Sequence, residues 1–450
     1  MEPFKIKVVE PLAMLTRAER SAALQAAHYN LFRLRADQVT IDLFTDSGTG
    51  AMSAQQWAAV MLGDESYAGA RSFFRFEQVV RDLTGHPHVL PTHQGRAAER
   101  ILFSSLLRQG QVSVSNTHFD TTRANVELAG GQALDLPSPA AAELDSKEPF
   151  KGDLDVAALE SLLARGVEVG CVIMTVTNNA GGGQPVSMAN LRSVREICER
   201  HAVPFFLDAA RFAENAYLIT QREPGYGGHT PRQVAEEMFA LADGSVASLK
   251  KDGIANIGGF ITLRAEELAA RCRELLIATE GFPTYGGLAG RDLEALAQGL
   301  IEVTDPAYLR HRADTAAWFA DGLEAAGLPS VRPAGCHAVY LDARRVLPHI
   351  PPALFPAHAL ACQLYVEGGV RSFEVGTLSF GRTGEDGEEE AAPHELLRLA
   401  LPRRVYTRSH LEHVIHCAGA VAARAASVRG YRIAEAPRSL RHFTAKLVPA

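Results

Sequence analysis

The sequence predicts an α/β fold, in which helices pack on both faces of a sheet. Short apolar runs alternate with stretches of helical periodicity through the middle of the chain, a pattern typical of such folds. Apolar residues make up 47% of the sequence and charged residues 22%, as in ordinary globular proteins, which argues against disordered and fibrous classes. The length of 450 residues favours about two or three domains.

The predicted elements follow one another from residue 88. Residues 88–92 form an apolar run typical of a strand, and Gly95 and Arg96 open a helical stretch over residues 97–107. The next predicted strands cover residues 169–176, 204–208, 245–249 and 257–263, with a helix around 191–197 between the first two.

The last third of the chain has a different pattern. It begins with helical stretches, continues with a possible strand at 337–341 and closes with a long helix around 410–428. We expect a smaller α+β domain here, joined by the N-terminal segment. The predicted boundaries are residues 46–305 for the large domain, and residues 1–45 with 306–450 for the small domain.

Charge and cysteine content limit the possible partners and location. Lys and Arg number 45 and Asp and Glu 52, and the resulting net charge of −7 argues against nucleic acid or an anionic membrane as the main partner. The six cysteines are scattered without a CxxC pair, as expected of reduced thiols. No leader pattern and no apolar run of about 20 residues is present, so we expect a soluble, cytoplasmic protein. The acidic run at 385–390 predicts a solvated loop.

Polar residues follow the predicted strands, where ligands collect in open α/β sheets. Backbone N–H groups of Gln94 and Gly95 at a helix start, with the Arg96 side chain beside them, form a candidate anion site. Asp208 ends an apolar strand, and a carboxylate is costly to bury there unless a cation meets it. Three interpretations stay open: a salt bridge with Arg211, a helix N-cap, or a partner for the protonated ring nitrogen of pyridoxal phosphate.

Two adjacent lysines, Lys250 and Lys251, follow the strand that ends near Ser248. Such lysines are usually solvated, but here they lie between apolar strands and a glycine pair, where a lysine can have a lowered pKa and form a Schiff base. Phe119 is a candidate for stacking on a flat ring or for the core, and Asn179 for binding a ring oxygen or for a turn. The order of anion loop, aspartate and lysine predicts a pyridoxal-phosphate enzyme.

The sequence resembles the β-eliminating lyases, the family of tryptophanases and tyrosine phenol-lyases. The resemblance extends over nearly the whole chain. It is densest in TDSGT (45–49), GDESYAG (63–69), THQGRAA (92–98), GGQPVSMAN (182–190), KKDGIANIGGF (250–260) and PRRVYT (402–407). It implies a fold-type I, aspartate-aminotransferase-like subunit that binds pyridoxal 5′-phosphate and forms a homotetramer with sites completed between subunits.

The resemblance also implies roles for individual residues. The lysine that links the cofactor corresponds to Lys251, not Lys250. The cofactor phosphate would be held by Gln94, Gly95, Arg96, Ser248 and Lys250, and the ring by Phe119, Asp208, Asn179 and Arg211.

Substrate and ion sites are implied in the same way. Arg403, assisted by Thr45, corresponds to the arginine that binds the substrate α-carboxylate, and Tyr67 to a general acid near the leaving group. The family needs a monovalent cation, K⁺ or NH₄⁺, whose ligands correspond to Gly48, Glu65 and Asn256.

Three positions distinguish the two activities within the family. Val375 stands where tyrosine phenol-lyases carry an arginine that contacts the phenol hydroxyl, His442 where they tend to have phenylalanine, and Asp120 where they have threonine. All three favour tryptophanase, with His442 and Asp120 near the indole ring. We therefore expect a carbon–carbon lyase that converts L-tryptophan to indole, pyruvate and ammonia, with the catalytic residues Lys251, Tyr67, Asp120 and His442.

Other functions remain as alternatives. The nearest is a tyrosine phenol-lyase, or a broad-range lyase acting on S-alkylcysteines or serine. An aminotransferase shares the fold and cofactor and is more remote. A cofactor-binding regulatory module is disfavoured because the sequence contains no basic patch or recognisable DNA-binding segment.

Overall fold

The computed structural model describes residues 1–383, 389–437 and 440–450, and the chain divides into two compact units. The large unit contains residues 47–141 and 148–311, and the small unit residues 1–46, 142–147 and 312–450. Residues 142–147 were expected in the large domain but belong to the small unit, because they form a hydrogen bond and an ion pair with residues of that unit. Arg332 N donates to Leu144 O at 2.7 Å, and Arg345 pairs with Asp145 at 2.9 Å.

Sixteen helices are assigned in the described part of the chain. They are α1 Arg17–Ala26, α2 Ala54–Leu62, α3 Arg71–Thr84, α4 Gly95–Leu106, α5 Asp120–Leu128, α6 Val156–Ala164, α7 Met188–Arg200, α8 Phe212–Arg222, α9 Pro231–Ala240, α10 Glu266–Thr279, α11 Gly290–Glu302, α12 Pro306–Ala325, α13 Ala343–Val346, α14 Pro356–Gly368, α15 Thr377–Phe380 and α16 Arg408–Ala422. Short 3₁₀ helices are Leu31–Arg33, Ala36–Gln38, Pro139–Ala142, Pro352–Leu354, Ala425–Ser427 and Arg441–Phe443.

Fifteen strands are assigned over the same residues. They are β1 Ile41–Leu43, β2 His88–Thr92, β3 Val112–Ser115, β4 Gln132–Asp135, β5 Val169–Thr175, β6 Phe205–Asp208, β7 Gly244–Ser248, β8 Gly259–Leu263, β9 Ala338–Asp342, β10 Val370–Val375, β11 Arg382–Thr383, β12 Glu389–Glu390, β13 Leu396–Ala400, β14 Tyr431–Glu435 and β15 Lys446–Pro449.

The large unit is built on a seven-stranded sheet with the order β2-β8-β7-β6-β5-β3-β4. Strand β8 is antiparallel to both neighbours, and the other pairs are parallel. The carboxyl ends of β2, β3, β5, β6 and β7 therefore share one edge with the start of β8. Apolar side chains such as Phe103, Ile173, Phe206 and Ile261 form a core against this sheet. The predicted α/β class is confirmed.

Most predicted elements of the large unit lie within two residues of the observed ones. Strands β2, β5, β6, β7 and β8 were expected from apolar runs, and α4 begins at Gly95, the residue expected to open it. Strands β3 and β4 were not predicted, because VSVS and QALD are only four residues long and hold two apolar residues each.

The small unit contains a four-stranded sheet with the order β1-β10-β13-β9. Strand β1 pairs in parallel with β10, placing Ile41 opposite Val370, and the other two pairs are antiparallel. The strand expected at 337–341 is β9. The closing helix expected over 410–428 is wrong at its end, because α16 stops at Ala422 and a 3₁₀ turn follows.

The acidic run is only partly described, since residues 384–388 lie outside the described residues. Glu389 belongs to β12 and both of its carboxylate oxygens accept hydrogen bonds from Arg441, at 2.8 and 2.6 Å. Glu389, at this end of the run, is therefore held by an ion pair with Arg441 and does not lie in a solvated loop. Among the described residues, no helix has the length and apolar character that crossing a membrane requires.

Candidate active site

The anion loop lies between β2 and α4. Gln94 occupies the N-cap position in an extended conformation, and Gly95 is the first helical residue. A Cβ built on Gly95 would lie 2.5 Å from Ser248 Cβ, so only glycine allows the loop to approach the end of β7 this closely. Gly258 N donates to His93 O at 2.7 Å and fixes the loop from the other side. Gln94, Gly95 and Ser248 are thus brought together, with the exposed Arg96 beside them.

The lysine pair lies in a tight turn after β7. Lys251 N contacts Ser248 O at 3.4 Å, and Ile254 N donates to Lys251 O at 2.9 Å. Asp252 is buried, and its carboxylate accepts a hydrogen bond from Ala213 N at 2.8 Å. This bond ties the lysine turn to the first turn of α8, which begins four residues after Asp208.

The charges at this edge interact. Burial raises the pKa of the Asp208 carboxyl, and the positive charges of Lys251 and then Arg211 oppose the rise. Burial also lowers the pKa of Lys250, and the charge of Arg96 lowers it further. Asp208 is not a helix N-cap, because Arg211 occupies that position of α8.

Phe119 and Asp120 lie where α5 begins, with Phe119 in the N-cap position. The preceding His118 is buried, and its ring contacts Asp135 Oδ1 at 2.6 Å through Nδ1 and Ser113 Oγ at 3.0 Å through Nε2. Asp120 is 8% exposed and its Oδ1 accepts a hydrogen bond from Thr121 N at 2.6 Å. The turn that presents Phe119 is therefore fixed by bonds on both sides.

Asn179 is buried in the loop that follows β5. The same stretch is joined to the start of α8, since Arg211 N donates to Val176 O at 3.3 Å. Asn179 and Arg211 are thus both buried near the carboxyl ends of β5 and β6.

A charged residue that the sequence analysis missed lies beside this group. Glu99, on α4, is 7% exposed and accepts a hydrogen bond from Thr122 Oγ1 at 2.6 Å. Burial and the negative charge of Asp208 raise its pKa to about 7, against the opposing charge of Lys251. Its sequence signal is a glutamate placed among the apolar residues of a helix, one turn after Gly95.

The residues that the resemblance implies for binding the substrate α-carboxylate, Arg403 and Thr45, lie in the small unit. Arg403 is 1% exposed and its Nη1 pairs with Asp46 Oδ2 at 2.9 Å, where Asp46 directly follows Thr45. Asp46 was not singled out from the sequence. A guanidinium has five N–H donors in a planar fork, so one arginine can bind more than one carboxylate.

Val375 and His442 lie among aromatic and apolar side chains of the small unit. Val375 ends β10 and belongs to a buried cluster with Phe373 and Tyr340. The His442 ring is buried, with its centroid 5.9 Å from that of Phe373 and 5.8 Å from that of Phe32.

Tyr67 and Glu65 lie in an exposed segment of the large unit. Tyr67 is 72% exposed, its ring centroid is 5.3 Å from that of Tyr285, and a hydrogen bond with Tyr285 raises its pKa. Glu65 Oε1 lies 3.4 Å from Arg291 Nε.

Gly48 and Asn256, two of the implied ion ligands, are in contact. Gly48 O accepts a hydrogen bond from Asn256 Nδ2 at 2.8 Å, and a Cβ on Gly48 would lie 3.1 Å from Asn256 O.

A family model described as "Beta-eliminating lyase" matches residues 42–417 of the chain. The chain belongs to the β-eliminating lyase family. The resemblance inferred from the sequence is confirmed.

Two relatives within the family differ in their similarity to this chain. A tryptophanase of Salinibacter ruber is 55% identical over 450 residues, a match covering 100% of this chain and 95% of the relative. A tyrosine phenol-lyase of a Symbiobacterium species is 47% identical over 450 residues, covering 100% of this chain and 98% of that protein.

The fold of this β-eliminating lyase is also found in solved structures. A double mutant of the Thermus thermophilus aspartate aminotransferase is similar with a TM-score of 0.60 at 17% identity, covering 90% of this chain and 98% of the other. The predicted aspartate-aminotransferase-like, fold-type I architecture is confirmed.

Proposed function

We propose that this β-eliminating lyase uses pyridoxal 5′-phosphate to convert L-tryptophan and water to indole, pyruvate and ammonia. The observation that carries the proposal is that the anion loop, the Asp208 carboxyl and Lys251 lie together at one edge of the seven-stranded sheet. The higher identity to a tryptophanase than to a tyrosine phenol-lyase supports tryptophan as the substrate.

The residues present fit pyridoxal phosphate. A dianionic phosphate suits the backbone N–H groups at the start of α4, the cation Arg96 and the hydroxyl of Ser248. A protonated ring nitrogen suits a buried carboxyl such as Asp208, whose charged form would then gain a partner. Phe119 would stack on the ring. Asn179 and Arg211 would serve the ring oxygen, and Lys251 would bind the aldehyde carbon.

When bound, pyridoxal phosphate supplies an electron sink for negative charge at the substrate Cα. The other steps belong to the chain. Arg403 binds the substrate α-carboxylate through two N–H donors, with Asp46 fixing its guanidinium and Thr45 assisting. The Lys251 amine takes the proton from Cα, and Asp208 keeps the ring nitrogen protonated.

The leaving group needs its own acid, because indole leaves readily only after C3 has been protonated. Tyr67 donates that proton. Asp120 and His442 lie around the ring nitrogen of the indole and support this general acid step. The apolar Val375 suits an indole ring better than a phenol hydroxyl, since a valine side chain offers no hydrogen bond.

We further propose a homotetramer and a monovalent cation, K⁺ or NH₄⁺. Gly48 and Asn256, already in contact, would supply oxygen ligands together with Glu65. The exposure of the segment that holds Glu65 and Tyr67 suits residues that complete a site in another subunit.

Product analysis tests the proposal. The purified chain, loaded with pyridoxal phosphate, is incubated with L-tryptophan, L-tyrosine or S-methyl-L-cysteine in K⁺ buffer and again in Na⁺ buffer. Indole, pyruvate and ammonia from tryptophan in equal amounts, faster in K⁺, are expected. Faster phenol release from tyrosine would instead assign a tyrosine phenol-lyase, and amino-group exchange with a keto acid would assign an aminotransferase.

Lys251→Ala is expected to abolish both turnover and the visible absorbance of the bound cofactor, because the amine that binds the aldehyde carbon is lost. Lys147→Ala serves as the control, since Lys147 is exposed and belongs to the small unit. It should leave both signals unchanged. A Lys251→Ala protein that retains both signals would contradict the assignment.

A further inference from the structure

Glu99 connects the two helices that begin at the cofactor site. Its carboxylate accepts hydrogen bonds from Thr122 Oγ1 at 2.6 Å, Thr121 Oγ1 at 3.3 Å and Asn125 Nδ2 at 3.3 Å, all three on α5. Asn125 Nδ2 also lies 3.3 Å from Arg96 O. These bonds fix the helix that starts with the Phe119 turn against the helix that starts with the anion loop.

Glu99 also contributes charge to the same edge. Its side chain is buried, and it interacts electrostatically with Asp208 and Lys251. The positive charges that act on this carboxyl pair are Lys251, after β7, and Arg211, before α8. Its partners on α5 are neutral hydroxyl and amide donors, which favour the ionised carboxylate.

We propose that Glu99 is a positioning residue of the cofactor site, which holds the Phe119 turn against the anion loop and adds a second negative charge beside Asp208. This inference rests on the proposed pyridoxal-phosphate chemistry. Glu99 acts through Thr122 and Asp208 and not by touching the cofactor. Its charge makes the proton shared by Asp208 and the ring nitrogen harder to remove, so the ring stays protonated to higher pH.

Two substitutions separate these effects. Glu99→Gln keeps a side chain of the same shape with one oxygen acceptor, but removes the charge. Thr122→Val keeps the charge and the volume, but removes the shortest hydrogen bond. Glu127→Gln, on the exposed face of α5, is the matched control.

The experiment is a titration of each full-length variant, freed of cofactor, with pyridoxal 5′-phosphate between pH 6 and pH 9. Affinity is read from quenching of protein fluorescence, and inorganic phosphate is titrated in parallel as a probe without a ring. Folding of each variant is checked by circular dichroism.

Glu99→Gln is expected to lower the affinity for pyridoxal phosphate about tenfold at pH 8, the equivalent of about 1.4 kcal/mol. It should also move the pH at which affinity declines about one unit lower, with the affinity for inorganic phosphate unchanged. Thr122→Val should weaken binding without moving that pH, and Glu127→Gln should match the wild type. A Glu99→Gln protein with the wild-type affinity and pH profile would overturn the inference, as would a Thr122→Val protein that shifts the pH profile equally.

Failure of the proposed function has a different signature. A wild-type protein that binds pyridoxal phosphate with the expected Glu99 dependence, but releases no indole from tryptophan, contradicts the substrate and leaves the role of Glu99 supported. A wild-type protein that does not bind pyridoxal phosphate overturns both.

Discussion

We expect the buried carboxyl pair of Glu374 and Glu395 to make the stability of the small unit depend on pH. Glu374 accepts hydrogen bonds from Leu378 N at 3.1 Å, Ser379 N at 3.0 Å and Ser379 Oγ at 2.6 Å, at the start of α15. A Cβ on Gly376 would lie 2.5 Å from Glu395 Oε2 and 2.6 Å from Glu374 Oε1, so the two carboxyls are close. Burial, and then the charge of Glu395, raise the pKa of Glu374 to about 8.

The sign and size of the effect follow from this pKa. A glutamate in an unfolded chain has a pKa of about 4.3, so between there and about 8 the folded protein holds a proton that the unfolded chain has lost. This stabilisation is complete below the unfolded pKa and is lost as the pH rises through the folded pKa. One proton corresponds to about 1.4 kcal/mol per pH unit, or roughly 2 kcal/mol between pH 6 and pH 8.

Glu374→Gln removes the titrating group, so the variant should lose less stability than the wild type as the pH rises. Urea unfolding followed by circular dichroism at pH 6, 7 and 8 measures the difference, with the exposed Glu390→Gln as the control. Only the change with pH is compared, because the lost acceptor oxygen adds a constant cost. If the free energies of unfolding of the wild type and Glu374→Gln change in parallel between pH 6 and pH 8, Glu374 does not hold the extra proton in the folded protein and the argument is wrong.

Three further predictions concern the site residues. Asp46→Ala leaves the Arg403 guanidinium buried without this carboxylate. It should lower the free energy of unfolding in urea by about 3–5 kcal/mol and raise KM for the amino acid. If neither value changes, the pairing of Asp46 with Arg403 has no such role. Gly95→Ala drives a Cβ against Ser248 and should cost about 1–3 kcal/mol and weaken pyridoxal-phosphate binding, whereas Gly227→Ala, with open space around it, should do neither. Val375→Arg puts a charge into an apolar cluster and should lower stability without producing fast phenol release from tyrosine, which product assays and thermal unfolding measure together.

The candidate site residues that can be singled out from the sequence alone are those whose signal is local. Asp208 ends one apolar strand and the pair Lys250 and Lys251 follows another. Parallel strands bring their carboxyl ends to one edge, so adjacency in space follows from the pattern. The choice of Lys251 within the pair came from the family resemblance. Gly95 was expected because a strand-to-helix turn that binds an anion needs close backbone approach.

The residues that support the site were not predictable in this way. Asp252 and Asp46 have their partners on other elements, so nothing in their immediate sequence distinguishes them from surface carboxylates. Glu99 is marked only by its apolar neighbours on α4, a weak signal for any role at the site. All three carboxylates are buried, and which carboxylates a chain buries depends on the tertiary fold. The assignment of residues 142–147 to the small unit could not be predicted for the same reason. It depends on bonds to Arg332 and Arg345, which lie far along the chain.

The parallel pairing of β1 with β10 has a consequence for how the chain folds during synthesis. The ion pair between Asp42 and Arg371 that accompanies this pairing joins residues 329 positions apart. The first strand of the small unit therefore has no sheet to join until the whole large unit has left the ribosome. Contacts between distant segments form slowly, and unpaired strand edges are prone to aggregate in the meantime. The nascent N-terminal segment thus stays without its strand partner for most of synthesis.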